Sequence, residues 1–305
     1  MADLEQAALT ERVLRLGRLT PWNRLTTAEL DLIASAGREV VSTTRTLLVP
    51  AEERSSALYV ALSGRLRALR NGQPLAGDPV REFYGGASLL GDSVISADVV
   101  AEPGTVLYVL DRDTFFSVLE EHGALQRSLL RVMSGEVIAM RGDEIVISGT
   151  TTGPQQSTPS SSGLLSRMRF LRDTLGLEWR SLPVLAQLAR AALVRRTPPG
   201  IAIWGKADAS ASVVVVVEGA IDVLQNGAVA RRIRPGEGVG MAEALAGAPM
   251  GYEGIAPTDT TTVEVSAAEL QEAIEDHDDF CQDLVRVIAF ELNSRIFKGL
   301  VVAHA

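Results

Sequence analysis

Cysteine is almost missing: Cys281 is the only one in 305 residues. A lone cysteine excludes an intrachain disulfide and a thiolate metal cluster. It fits a reducing compartment, so a cytoplasmic setting is expected. With no activating base near it in sequence, Cys281 is expected as a small buried helix residue, not a nucleophile. Lysine is nearly as scarce, with only Lys206 and Lys298 among the 29 basic residues, and histidine occurs three times. Alanine and glycine are abundant, and that usage suggests a GC-rich bacterial genome. Three histidines with no second ligand at helical spacing leave no metal site to expect. No run of about 18 apolar residues occurs, so no membrane span is expected. The N-terminus, MADLEQAALTERVLRL, is mixed in charge and lacks the apolar core and cleavage site of a secretory signal. The net charge of −9 is shared, with 15 basic against 20 acidic residues over 1–145 and 14 against 18 in the remainder. Neither half has the basic excess of a nucleic-acid-binding module. Gly-x-Ser-x-Gly, Walker and His-Glu-x-x-His patterns are absent. No enzymatic activity, catalytic residue or cofactor is therefore expected.

What is present begins with length. A chain of 305 residues with 46% apolar and 22% charged residues has room for two globular domains. It also repeats itself. Gly64 returns as Gly219, Asn71-Gly72 as Asn226-Gly227, Gly85 as Gly240 and Leu90 as Leu245. His122, Arg131-Val132 and Glu136 return as His277, Arg286-Val287 and Glu291. Each pair is separated by 155 positions, and one offset held across turn and core positions marks an internal duplication. Between the copies, residues 148–163 read SGTTTGPQQSTPSSSG, a stretch without apolar periodicity that reads as a linker. The expected domains are 1–147 and 164–305.

Each copy shows the same order of elements. Thr26 is an N-cap candidate, with Glu29 in the first turn and Leu30, Ile33 and Ala34 on one face. Short β runs follow at 46–49, 57–62 and 66–69, and again at 201–204, 213–217 and 221–224. Five consecutive valines at 213–217 suit a strand buried on both faces. Asn71-Gly72 and Asn226-Gly227 suit type I′ hairpins, which need positive φ at both central residues. Apolar residues at helical spacing then predict one long helix over 111–140 and another over 267–297. The expected fold class is α+β: two tandem antiparallel β-barrel, jelly-roll-like domains, each with N-terminal helices and a long C-terminal helix.

This order resembles the cyclic-nucleotide-binding domain of the catabolite-activator family and of the regulatory subunits of cAMP-dependent kinase. Val60-Ala61-Leu62-Ser63-Gly64 and Val215-Val216-Val217-Glu218-Gly219 are similar to the family's apolar strand ending in Ser-Gly or Glu-Gly. Gly205 matches a family glycine, and Ile233-Arg234-Pro235-Gly236-Glu237 resembles the turn into the phosphate-binding cassette. The resemblance implies a cassette that reads Phe-Gly-Glu, a short apolar helix, then Pro-Arg and a small residue. There the glutamate accepts from a ribose hydroxyl and the arginine forks onto the cyclic phosphate.

Neither copy keeps those two side chains. The first reads Tyr84-Gly85-Gly86-Ala87, then Ile95-Ser96, so Gly86 stands for the glutamate and Ile95 for the arginine. The second reads Val239-Gly240-Met241-Ala242, then Met250-Gly251, with Met241 and Met250 in those places. Gly85, Gly86, Ala87, Ile95, Ser96, Gly240, Met241, Ala242, Met250 and Gly251 are the candidate ligand-site residues. Loss of both charge-assisted partners should cost about 3–5 kcal/mol, or roughly two to four decades of affinity. High-affinity cAMP binding is not expected. Glu243, two positions past the lost glutamate, is expected to be a solvated surface acid. Arg231, Arg232 and Arg234, and Arg81 in the first copy, are expected on solvated edges.

The function expected is that of a non-enzymatic regulatory or scaffold protein acting through an unidentified protein partner or larger assembly. By resemblance, a homodimer through the terminal helices is plausible. The alternative is a sensor that binds a cyclic nucleotide atypically or takes an apolar ligand, in a pocket lined by Met241, Met250 and Tyr252 or by Ile95 and Tyr84. A transcriptional regulator is the weaker alternative. The family's DNA-binding members append a helix-turn-helix, whereas only residues 296–305 follow Arg295 here, so no DNA is expected. The segments 4–19 and 296–302 are expected either to meet a partner or to cap their own domains.

Overall fold

The computed structural model describes residues 2–20, 22–77, 80, 82–141, 147–148, 163–175, 182–206, 208 and 212–303. The expected linker 148–163, apart from its two end residues, and Arg81 lie outside the described residues. The chain divides into two compact units. Unit one is Met1–Glu136 with Val285–Ala305, and unit two is Val137–Leu284. This differs from the expected division at the linker, because residues 285–305 pack into the first unit and not the second.

In unit one, a four-stranded antiparallel sheet has the order Arg38–Ser42, Thr105–Asp111, Ala57–Ser63, Phe83–Tyr84. A second has the order Thr46–Val49, Asp98–Ala101, Leu66–Arg70, Gln73–Pro74. In unit two the corresponding strands are displaced by 155 residues; Ala57–Ser63, for example, has its counterpart in Ser212–Glu218, and Thr105–Asp111 in Thr260–Ser266. The class is α+β, as the patterning implies. The sheets do not close into the expected barrels. Each unit keeps two separate larger sheets, and the register shifts between Ala61 and Ser63 and between Val216 and Glu218 where the chain leaves one sheet for the other.

Local chemistry explains much of this. Thr26 accepts from the Glu29 amide while Glu29 bonds back to the Thr26 amide, a complete capping box at the start of helix Thr27–Ala36. Ser266 and Glu269 do the same for helix Ala267–Asp276. Asn71 and Gly72 have φ of 52° and 75°, and Asn226 and Gly227 of 53° and 79°, as two-residue hairpins require. Val213 to Val217 are all buried, which accounts for a run without alternation.

The expected long helices are each broken. Helix Arg112–Glu121 stops at His122 and helix Gly123–Met140 starts beside it. Helix Ala267–Asp276 stops at His277 before helix Asp278–Ile296. The recurring histidines are C-caps, and their carbonyls accept the first amides of the next helix, from Leu125 at 2.9 Å and from Cys281 at 3.1 Å. Their non-helical ψ, 73° at His122 and 98° at His277, turns the chain without breaking its apolar periodicity, so the pattern alone reads as one helix. Cys281 is buried. Among the described residues no helix is long and apolar enough to cross a membrane.

Helix Ala2–Leu16 caps the first sheet of unit one. Leu16 is buried, Arg12 donates to the Ala34 carbonyl at 2.6 Å, and its guanidinium lies 5.7 Å from the Tyr108 ring centroid. The apolar C-terminal segment also belongs to unit one. Strand Val301–Ala303 pairs antiparallel with Ser93–Ile95, and the Ser96 amide donates to the Leu300 carbonyl at 2.9 Å. It caps a unit other than the one its sequence position implies.

Candidate functional site

Both units build a strand, a glycine turn and a short helix at the expected cassette position. In unit one the chain leaves strand Phe83–Tyr84, turns at Gly85 with φ of 112°, and enters helix Gly86–Leu90. In unit two it leaves Gly238–Val239, turns at Gly240 with φ of 93°, and enters helix Met241–Ala246. Any side chain at these glycines would strike the carbonyls of Ala57 and Ser212, so the close approach of strand and turn requires glycine twice over.

The side chains on that frame point into packed interiors. Ile95 and Tyr84 are buried in unit one, and Met241, Ala242, Met250 and Tyr252 in unit two. Gly86, Ala87 and Ser96 are half-buried, and Gly251 is exposed with φ of 75°. The Ser96 hydroxyl donates to Glu52 at 3.1 Å. The structure therefore gathers the ten candidate residues around two equivalent turns. At neither turn does a charged side chain stand at 86, 95, 241 or 250.

In unit one the interior beside Ile95 is filled by Phe297. Its ring meets Tyr84 edge to face, with centroids 5.9 Å apart and planes at 80°. It is buried in a cluster with Ala57, Ala61, Ala68, Ala97 and Ala101, whose short side chains leave space for one ring. Asn293 donates to the buried Ser93 hydroxyl at 2.9 Å. Burial pushes the Tyr84 phenol up in pKa, and its hydrogen bond from Ser88 opposes that.

In unit two the equivalent place is charged. Glu243 is fully buried, which corrects the expectation of a solvated acid. Its partner is Arg141, just past helix Gly123–Met140, whose guanidinium pairs with the carboxylate and donates to the Met250 carbonyl at 3.2 Å. The same guanidinium lies 5.0 Å from the Tyr252 ring centroid, and the Tyr252 hydroxyl donates to Glu243 at 3.3 Å. Tyr252 is fixed in turn by Trp204, whose indole donates to the Tyr252 carbonyl at 3.0 Å. Burial, with the Glu243 charge, drives the Tyr252 phenol far above its ordinary value, and Arg141 pulls the other way. Buried charge survives here because the pair is hydrogen-bonded on several sides.

Arg231, Arg232 and Arg234 lie on an exposed edge, as expected. Arg232 forks onto Asp222 at 2.6 and 2.8 Å, and Arg231 reaches Glu237 at 3.9 Å. Sequence reasoning missed Arg141 and Phe297. No local signal marks them, because Arg141 is 102 positions from Glu243 and Phe297 is more than 200 from Tyr84. At the 155-residue offset the counterpart of Arg141 is Ile296, next to Phe297.

With the geometry in view, comparison with known proteins is informative for one segment. Residues 194–277 match the cyclic nucleotide-binding domain model. That domain is a binding module and not a catalytic one. No curated protein sequence matches the chain. Similar solved structures include the regulatory subunit of a cAMP-independent protein kinase A from Trypanosoma cruzi bound to guanosine. It is 16% identical over 96% of this chain and 92% of that one, with a TM-score of 0.35. The regulatory domain of Toxoplasma gondii PKA with cAMP is 16% identical over 92% of this chain and 96% of that one, TM-score 0.34. A cyclic nucleotide-binding-like protein from Brucella abortus is 19% identical over 36% of this chain and 97% of that one, TM-score 0.32.

Proposed function

We propose that this chain, whose residues 194–277 form a domain of cyclic-nucleotide-binding type, is a non-enzymatic regulatory protein. It acts through protein contacts and not by holding a cyclic nucleotide tightly. One observation carries this reading. In each unit the place beside the lost arginine is taken by the chain's own side chain, Phe297 against Tyr84 and Arg141 against Glu243.

Two costs then stand against a cyclic phosphate. The first is the missing charge compensation at Ile95 and Met250. The second is displacement of the resident group. Removing a buried phenylalanine from its contacts costs about 3–5 kcal/mol. Separating a buried ion pair leaves an uncompensated charge at similar cost. Backbone amides alone do not offset both.

Isothermal titration of the full chain with cAMP, cGMP and cyclic dinucleotides tests the reading. No heat of binding is expected below micromolar concentration, and sub-micromolar affinity for any of them would sink it. The partner itself is sought by affinity purification from the native organism with mass spectrometry. Sedimentation velocity separates a homodimer through the terminal helices from a chain that pairs only with a different protein.

A further inference from the structure

We propose that the cassette of unit two is a guanidinium seat. In this structure Arg141 fills it, and the arginine side chain of a partner, or a free guanidinium compound, is able to take its place. The proposal rests on the reading that no cyclic phosphate is held there. Its polarity is opposite to that of an anion cradle.

Three groups define the seat, and each attracts a planar cation. The Glu243 carboxylate pairs with one guanidinium nitrogen of Arg141, and the Met250 carbonyl accepts from another at 3.2 Å. The Tyr252 ring faces the guanidinium carbon at 5.0 Å from its centroid, within the range of a cation–π contact. A phosphate in the same place would meet a carboxylate, a carbonyl oxygen and the negative face of a ring. An ammonium would satisfy the charge but not the fork, which needs two N–H groups in a fixed plane.

The seat is also built, not fortuitous. Trp204 packs edge-on against Tyr252 at 6.2 Å and 74°, and its indole holds the Tyr252 carbonyl. Gly251 leaves the fork room, since a β-carbon there would stand 3.2 Å from an Arg141 nitrogen. Glu243 has a second carboxylate oxygen, buried and without a hydrogen-bond partner. The site therefore offers more acceptor capacity than Arg141 uses. The Arg141 side chain keeps 12% of its surface in solvent, whereas the Glu243 side chain is fully buried.

Unit one supplies the contrast. At the positions 155 residues earlier, Glu243 becomes Ser88, Tyr252 becomes Ala97 and Met250 becomes Ile95. That frame lacks the carboxylate and the ring face, and it seats Phe297 instead of a cation. One backbone thus carries two seats of opposite character, each filled by a residue suited to it.

Chemical rescue of the full-length Arg141→Ala variant tests the proposal. Thermal unfolding is followed with methylguanidinium, methylammonium or sodium chloride at equal millimolar ionic strength. R141A is expected to melt below the wild type and to recover in a saturable way with methylguanidinium alone. The double variant R141A/E243Q should show no recovery. Rescue by a capped arginine amide as well shows that a peptide-borne arginine fits the seat; rescue by methylguanidinium alone restricts the seat to a small free compound. No rescue by either, or equal rescue by methylammonium or in the double variant, would overturn the proposal. Should R141A not fold alone, it is refolded from urea with and without methylguanidinium, using R141M/E243Q, which removes the charge on both sides of the pair, as the folded control. Failure to recover R141A while R141M/E243Q folds would also overturn it. cAMP is a separate arm. Stabilisation of the wild type by cAMP that vanishes in R141A would give Arg141 to a phosphate and refute both readings, whereas a failed guanidinium rescue alone leaves the absence of nucleotide binding untouched.

Discussion

Truncating Phe297 to alanine removes the buried aromatic side chain that the C-terminal segment inserts into unit one. The ring is 4% exposed and meets Tyr84 edge to face. A buried Phe→Ala change costs about 3–5 kcal/mol, and more where the surroundings cannot relax into the cavity. The neighbours in this cluster are mainly alanines and valines on strands whose backbones are held in hydrogen-bonded ladders. The same cluster holds Tyr59, Leu66, Ile95 and Leu107, whose larger side chains relax in part, so the whole of that range stands. For a domain of this size each kcal/mol shifts the melting temperature by about 2–4 °C. Differential scanning calorimetry of F297A should therefore show a transition lowered by about 6–20 °C. Phe297→Leu keeps most of the volume and should lose less than about 1.5 kcal/mol. A transition of F297A within about 2 °C of the wild type would refute the view that this segment is structural to unit one.

Gly240→Ala forces an L side chain to φ of 93° against the Ser212 carbonyl; urea denaturation should show a loss of about 1–3 kcal/mol from strain alone. Tyr108 is fully buried, and its hydroxyl donates to the Ile33 carbonyl; Tyr108→Phe should cost about 0.5–1.5 kcal/mol in the same assay. Asp222 is held below its ordinary carboxyl value of 3.8, chiefly by the hydrogen bond from Arg232. Its contribution is complete above that value and is lost as pH falls through the lowered one, so any stability gap between wild type and Asp222→Asn at pH 7 should close as the pH is taken below it. A gap of unchanged size at low pH would show that the carboxylate charge is not its source.

The legible part of the fold was carried by short-range rules. The strand expected at 57–62 is Ala57–Ser63, the valine run lies in Ser212–Glu218, and both Asn-Gly pairs make hairpins. The capping box at Thr26 was readable from two residues three apart. The helix breaks at His122 and His277 were not, because a C-cap that turns the chain for one residue leaves the apolar spacing intact on either side. The candidate site was legible as a backbone and as a set of losses. Gly85 and Gly240 announce their turns, and Gly86, Ile95, Met241 and Met250 carry no charge. What packs beside those positions was not legible. Glu243 reads as a surface acid because its helix is too short for periodicity to tell the buried face from the exposed one.

The sequence by itself determined that residues at turn and core positions recur at a single interval of 155, and that no charged side chain stands at 86, 95, 241 or 250. Those facts depend on residue type and local spacing, which govern turns, strands and caps within a few residues. Only the tertiary structure decided that Phe297 closes the first unit, that Arg141 meets Glu243 in the second, and that residues 285–305 pack with the beginning of the chain. Such pairings join positions a hundred or more apart. They are selected by which buried surfaces and charges complement each other once the strands are in place, and linear spacing carries no record of that choice.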